Sequence, residues 1–369
     1  IAENFRYWAD KIASHAARVT KLFPYGYLTA MPDNNPISDY YGSEWLYTRG
    51  GFAPPKIERW TDQVDGESFY FGVQRCLNKE GYQDYIAYYV DQYLKDYPFL
   101  IGPYFDGSGV DRTDTPYRDT SLVDVFRPER KVYNDFHFGM RDIYERLYKI
   151  TRQHRGDDGI VYAHSWSDYR PSIAAFMDMT LPGEEFMHTI KNGLQVYTEA
   201  PLEQWQSNYS ANIYGTAVQF MTQHRFYGGD LHQLPPDKRE EYTRPPLTMC
   251  LIHDVPLAGW WYVDVEKTWA ALDRNRVSEA DFHGYWQQDN IQTDSPSVKA
   301  SYYSWPGSED RLLMLGNIGA EPQSVRLSGV AGFSGQDEIS GNPIDLAGLV
   351  ELPSYGFRIF KLTRVEPEQ

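Results

Sequence analysis

Residues 99–110, reading FLIGPYFDGSGV, constrain this chain most. Phe99, Leu100, Ile101 and Phe105 lead into Asp106, Gly107, Ser108 and Gly109. A short apolar run that ends in an acid and then glycines predicts a buried parallel strand delivering a carboxylate to a loop. Gly107 and Gly109 let the backbone turn sharply straight after the acid. The plainer reading is a strand ending in a turn that Asp106 caps.

Similar units recur along the chain. Residues 21–28 read as a strand, 159–164 as another running into Ser165-Trp166-Ser167-Asp168, and 173–181 as a short helix or turn and then a strand closing in Pro182-Gly183-Glu184-Glu185. Residues 217–221 are a further run, followed by Gln223-His224-Arg225. Apolar periodicity predicts helices over 2–18, 79–96, 134–154 and 266–273. Pro32 to Pro55 reads as a long aromatic loop, 203–215 as a connection, and Leu234–Pro246 as a proline-rich loop. Strands alternating with helices at crossover spacing predict a parallel sheet, and polar clusters at the strand ends predict a barrel. From about Phe282 the helical period stops and short alternating runs appear, at 300–305, 311–316, 324–327 and 357–362. These predict an antiparallel β-sandwich. The expected architecture is therefore an α/β chain: a (β/α)8 TIM-type barrel over 1–281 and a C-terminal sandwich over 282–369.

Charge and composition narrow the function. A formal net charge of -16 excludes a polyanion binder, so no nucleic acid is expected. No stretch is long and apolar enough to span a membrane. Cys76 and Cys250 form no framework and match no metal spacing, which predicts buried free thiols. The 30 Tyr and 10 Trp suit a protein that stacks on flat sugar faces, although a large aromatic core accounts for most of them. No nucleophile elbow, phosphate-cradling loop or dinucleotide fingerprint occurs, and no cofactor is expected.

These short motifs resemble glycoside hydrolases: FDG at one strand end, and an acidic cluster two strands later. The resemblance is to bacterial barrel enzymes related distantly to the α-galactosidase and α-N-acetylgalactosaminidase type, from polysaccharide-degrading families. It implies a retaining-type site with Asp106 as the nucleophile, and Glu184 or Glu185, or else Asp168, as the general acid. It also favours a periplasmic or secreted setting and a carbohydrate substrate. About six strand candidates are visible where such a barrel has eight. The chain opens at Ile1-Ala2-Glu3 without an initiator Met. An upstream segment or second chain is therefore expected to complete the barrel and to cover Phe5, Trp8 and Ile12.

Glycoside hydrolysis needs one ionised carboxylate and one protonated carboxyl about the scissile bond. In Glu184-Glu185 each acid can raise the pKa of the other, whereas a solvated loop is the plainer reading. Asp168 is equally an N-cap. Tyr27, Tyr104 and Trp166 are candidate sugar-stacking walls or core aromatics. His164, Glu185 and Asp254 are candidate hydroxyl partners. Arg225 is a candidate clamp for a substrate carboxylate or sulfate. Two other classes compete: a metal-dependent hydrolase or lyase built on His164, His224, His253, Asp254 and Asp106, and a non-catalytic glycan-binding protein.

Overall fold

The computed structural model describes residues 21–28, 36–45, 60–64, 67–71, 77–108, 112–113, 134–135, 137–164, 170–189, 193, 195–210, 212–213, 215–222, 235–258 and 265–365. The helix expected over 2–18 lies outside them. Packing divides the chain into two compact units, Ile1–Leu181 with Tyr214–Ala217, and Pro182–Ile213 with Val218–Gln369.

The first unit is a parallel sheet covered by helices. β1 (Tyr25–Tyr27) precedes α1 (Pro36–Trp45) and α2 (Glu80–Asp96); β2 (Tyr104–Asp106) precedes α3 (His137–Arg155). β3 (Tyr162–Ala163), β4 (Met179–Thr180) and the start of β5 (Thr216–Val218) follow. These strands stand in the order β1-β2-β3-β4-β5 within a six-stranded sheet. The register aligns Tyr27 with Asp106, Phe105 with Ala163, and Ala163 with Thr180. α2 buries Tyr82, Ile86, Val90 and Leu94, and α3 buries Met140, Ile143, Tyr144 and Leu147. Both stripes recur at helical spacing and meet Leu100, Phe105, Val161 and Ala163 in one core. Arg155 ties the end of α2 to the lead-in of β2, donating to the carbonyls of Tyr97 at 2.9 Å and Leu100 at 2.6 Å.

Two stretches of this unit depart from the sequence expectation. The loop expected over Pro32–Pro55 contains α1. Pro36 suits the first helical position, and Tyr41 stacks on Trp45 one turn later, with centroids 5.1 Å apart. Buried Trp45 then packs against Tyr82 and Tyr85 of α2, so tertiary contact decides the helix. An antiparallel hairpin, Trp60–Val64 with Glu67–Phe71, also falls where no strand was expected.

The second unit holds α4 (Leu202–Asn208), the parallel pair β6 (Phe220–Met221) and β7 (Leu257–Ala258), α5 (Pro236–Ile252) and α6 (Val265–Arg274). α4 replaces the expected connection over 203–215, and α5 replaces the expected proline-rich loop. Pro245 and Pro246 lie inside α5, where each removes a helix hydrogen bond. Its exposed first turns carry the Lys238–Glu241 ion pair at 2.8 Å, and the Thr243 hydroxyl donates back to the Arg239 carbonyl at 2.8 Å. The whole segment from Pro245 to Ile252 is buried.

After α6 the chain is antiparallel, as expected. β8 (Asp281–His283), β9 (Val298–Ser304), β10 (Arg311–Asn317), β11 (Phe333–Asp337), β12 (Pro343–Ile344) and β13 (Phe357–Arg364) form one sheet, ordered β8-β9-β10-β13-β11-β12. Leu313, Leu315, Phe360 and Leu362 face a core closed by Val325, Val350 and Leu352. The opposite face of β10 receives α5. A Cβ on Gly316 would stand 2.7 Å from Ile252 Cγ2, so glycine allows the helix its close approach. The Ser301 hydroxyl donates to the Ile252 carbonyl at 2.8 Å, and the Thr248 hydroxyl to the Tyr355 carbonyl at 2.8 Å.

Candidate active site

The strand period of two sorts the first unit's sheet into two faces. Phe105 and Ala163 point into the helical core. Tyr25 and Tyr27, Tyr104 and Asp106, and Tyr162 and His164 occupy the alternate positions. They form two layers. Tyr25, Tyr104 and Tyr162 pack side by side with tilted rings, their centroids 5.7 and 4.7 Å apart. One step nearer the C-terminal strand ends stand Tyr27, Asp106 and His164. Residues at that end of a parallel sheet carry the chemistry in this class of fold.

Asp106 has three donors. His164 Nδ1 lies 2.7 Å from Oδ1, the Gly107 backbone N–H donates to Oδ1 at 2.6 Å, and the Tyr25 hydroxyl donates to Oδ2 at 2.6 Å. Burial pushes this carboxyl up, but the hydrogen bond and charge of His164, then Tyr25 and Gly107, outweigh it. The carboxyl is held below its ordinary value and stays ionised. An ionised carboxylate only accepts, so His164 Nδ1 carries the proton of that bond. Gly107 turns at φ 67°, the left-handed step that the sequence expectation required. Behind it the Ser108 hydroxyl donates to the Phe105 carbonyl at 3.0 Å and bonds the Tyr144 hydroxyl of α3. Burial, and then the Asp106 charge, push the Tyr144 phenol well up. Tyr25 was not among the expected site residues. Its signal was the alternation itself: Tyr25 and Tyr27 repeat the spacing of Tyr104 and Asp106.

In the second unit, Glu184 and Glu185 open a short 3-10 helix, Glu184–His188. Gly183 precedes it at φ 125°, and a Cβ there would stand 1.9 Å from the Met221 carbonyl oxygen. Glu185 is taken up locally: it accepts the Gly183 N–H at 2.9 Å and the Tyr209 hydroxyl. Glu184, half-buried, is the first residue of the turn. Asp168, Trp166, Arg225 and His224 lie outside the described residues.

His253 and Asp254 need a correction. They were expected near a strand end with other ligating groups. They follow α5 and precede β7, at the strand's N-terminal edge. The His253 ring is sandwiched between Trp205 and Trp286, with centroids 5.4 and 5.3 Å away. Burial lowers its pKa to about 4, so the ring is neutral. Its Nδ1 donates to the Met249 carbonyl at 2.8 Å, and its Nε2 accepts from the Tyr285 hydroxyl at 3.2 Å. Both ring nitrogens are thereby used, and a ligand nitrogen needs a free lone pair. Asp254 takes the left-handed backbone at φ 58° and accepts the Tyr303 hydroxyl. Burial raises its pKa to about 6, against the smaller opposing effect of that bond. Among the described residues, no three His, Cys, Asp or Glu side chains gather as a metal-binding group. Cys250 is a buried free thiol, as expected.

No protein-family profile matches the sequence, and no curated protein matches it. Solved glycoside hydrolases share its fold. An α-amylase from Lactobacillus plantarum matches over 98% of this chain and 82% of its own, at 11% identity and TM-score 0.58. A maltogenic α-amylase from Thermotoga neapolitana matches over 93% and 77%, at 12% identity and TM-score 0.53. A trehalose-6-phosphate hydrolase from Bacillus licheniformis matches over 98% and 86%, at 11% identity and TM-score 0.51. The chain thus has an α/β glycosidase-like fold, with parallel strands and C-terminal antiparallel sheets. The resemblance drawn from the sequence stands at the level of fold.

Proposed function

We propose that this protein is a glycoside hydrolase that cleaves a glycosidic bond in an oligo- or polysaccharide, with Asp106 as nucleophile or base. The observation that carries this reading is the setting of Asp106: a carboxylate at a parallel strand's C-terminal end, kept ionised by three donors and set above a layer of tyrosines. A nucleophile or base must hold no proton at working pH, whereas the acid must hold one. Asp106 therefore takes the first role. Oδ1 has two donors and Oδ2 one, the Tyr25 hydroxyl, which makes Oδ2 the attacking oxygen. Tyr27, 38% exposed, supplies a ring for the sugar face. Tyr104 extends the tyrosine layer below it, and His164 fixes the carboxylate.

Glu184 is the first candidate for the general acid and Asp168 the second. Glu185 is set aside because its carboxylate is spent on Gly183 and Tyr209. In this reading the parallel strands belong to a (β/α)8 barrel over 1–281, with 282–369 as an accessory sheet domain. The test is hydrolysis of a panel of aryl glycosides and natural glycans by the protein and by Asp106→Asn. Loss of hydrolysis at an unchanged melting temperature supports the reading. Retained hydrolysis with a lowered melting temperature makes Asp106 a structural turn residue and ends it.

A further inference from the structure

We propose that the second unit carries a separate binding site for a small ring compound bearing an anionic group. The site is a cleft of about 400 Å3 between α5, α6 and the antiparallel sheet, within the size range of small-molecule pockets. Three cations line it: Arg244 of α5, Lys267 of α6 and Arg358 of β13. Two acids also line it, and both are engaged. Glu240 Oε1 stands 3.5 Å from Arg244 Nε. Asp337 Oδ1 accepts the backbone N–H groups of Ile339 at 2.9 Å and Ser340 at 2.8 Å. Arg358 is half-buried, and among the described residues it has no ion-pair partner.

In a chain of net charge -16 this is a local excess of positive charge. A half-buried guanidinium without a carboxylate partner is a bidentate donor to an oxyanion. Phe357, also in the lining, supplies apolar surface for the rest of such a ligand. The wall is preformed, because Arg274 and Asn275 bind α6 to the turn after β11. Arg274 Nη2 donates to the Glu338 carbonyl at 2.7 Å, and Asn275 Nδ2 to Glu338 Oε2 at 2.9 Å. None of the candidate catalytic or sugar-stacking residues lines the cleft. The ligand's chemistry is a carboxylate or a sulfate ester on a ring.

The experiment is isothermal titration of the full chain with D-glucuronate, glucose 6-sulfate and D-glucose. At least one anionic compound is expected to bind saturably, at least roughly tenfold tighter than D-glucose, the worth of a charge-assisted bond. The tighter of the two tells a carboxylate site from a sulfate ester site. Arg358→Gln is expected to weaken that binding by about tenfold or more, and raised salt to weaken it further. Lys267→Gln, on an exposed helix position, gives the same reading if Arg358→Gln fails to fold. Binding that is equal for glucose, indifferent to both substitutions, or absent up to saturating concentration overturns the proposal. Neither substitution touches Asp106, so glycosidase activity stands or falls independently.

Discussion

Asp106 and Asp254 are built from the same parts and behave in opposite ways. Each carboxylate accepts a tyrosine hydroxyl, and each has a histidine close by in its unit. Asp106 has three donors, one of them the histidine, and its pKa falls. Asp254 has the Tyr303 hydroxyl against its burial, and its pKa rises to about 6. The histidines explain the rest. His164 points its Nδ1 at the carboxylate, whereas His253, one residue before Asp254, turns its Nδ1 to the Met249 carbonyl. The strand ends differ as well: Asp106 closes β2, and Asp254 precedes β7. Residue type alone does not make a site; the number of donors decides whether a buried acid is held ionised or merely packs.

The comparison can be broken most sharply by removing each carboxylate in turn. Asp106→Asn is expected to lower kcat by roughly four orders of magnitude or more, the loss that the proposed nucleophile role carries. Asp254→Asn is expected to leave kcat within about twofold, since the group sits at the N-terminal edge of its strand. Equal losses in the two variants would sink the distinction. Tyr25→Phe comes next. Losing one donor to a charged oxygen costs about 10- to 100-fold in kcat/KM. It should also move the acidic limb of the pH profile upward, because Asp106 then gains a proton more readily. A profile that does not move would show that Tyr25 does not hold this carboxylate.

The smallest effect concerns stability. Asp254 has a raised folded pKa, so its contribution to stability is complete below the unfolded value near 3.8 and is lost as pH rises through about 6. Asp254→Asn keeps an acceptor for Tyr303 and suits the left-handed backbone. It is expected to stabilise the protein by about 1–3 kcal/mol at pH 8 and by little at pH 4. Thermal melts at the two pH values check this. His253 has the reverse dependence, since its lowered pKa costs stability as pH falls from about 6.5 toward 4. A gain of stability at pH 4 but not at pH 8 would contradict the assignment for Asp254.

Much of this was readable in the chain. The stripes of α2 and α3 recur at helical spacing, and the run into Asp106 announced both its strand and its turn. β9, β10 and β13 followed from short alternating runs. What failed to show depends on contacts made far away in sequence. α1 holds low-propensity residues such as Asp39 and Gly42, and it is fixed by the burial of Trp45 on α2. α5 contains two prolines that argue against a helix, and it is sustained by the surfaces around its buried half. The Asp65-Gly66 pair, between Trp60–Val64 and Glu67–Phe71 in sequence, is a dipeptide typical of hairpins and was the local signal for their pairing. The idle state of His253 was invisible for a different reason. A histidine after an apolar run reads the same whether its ring nitrogens are open or taken up, one N–H by the Met249 carbonyl and one lone pair by the Tyr285 hydroxyl.

The seating of α5 on β10 bears on how the chain can be cut. Its texture changes near Phe282, and a designer of fragments would place a boundary there. Yet Ile252 and Thr248 rest against Gly316, and Ser301 and Tyr355 bond the same helix. A fragment ending at residue 281 would bare the apolar half of a helix that already lacks two backbone hydrogen bonds at its prolines. That surface would meet water with nothing to fold it back, and aggregation rather than a smaller working protein is the physical outcome. The last ninety or so residues are thus a scaffold on which α5 is finished, and expression and deletion must treat the two as one piece.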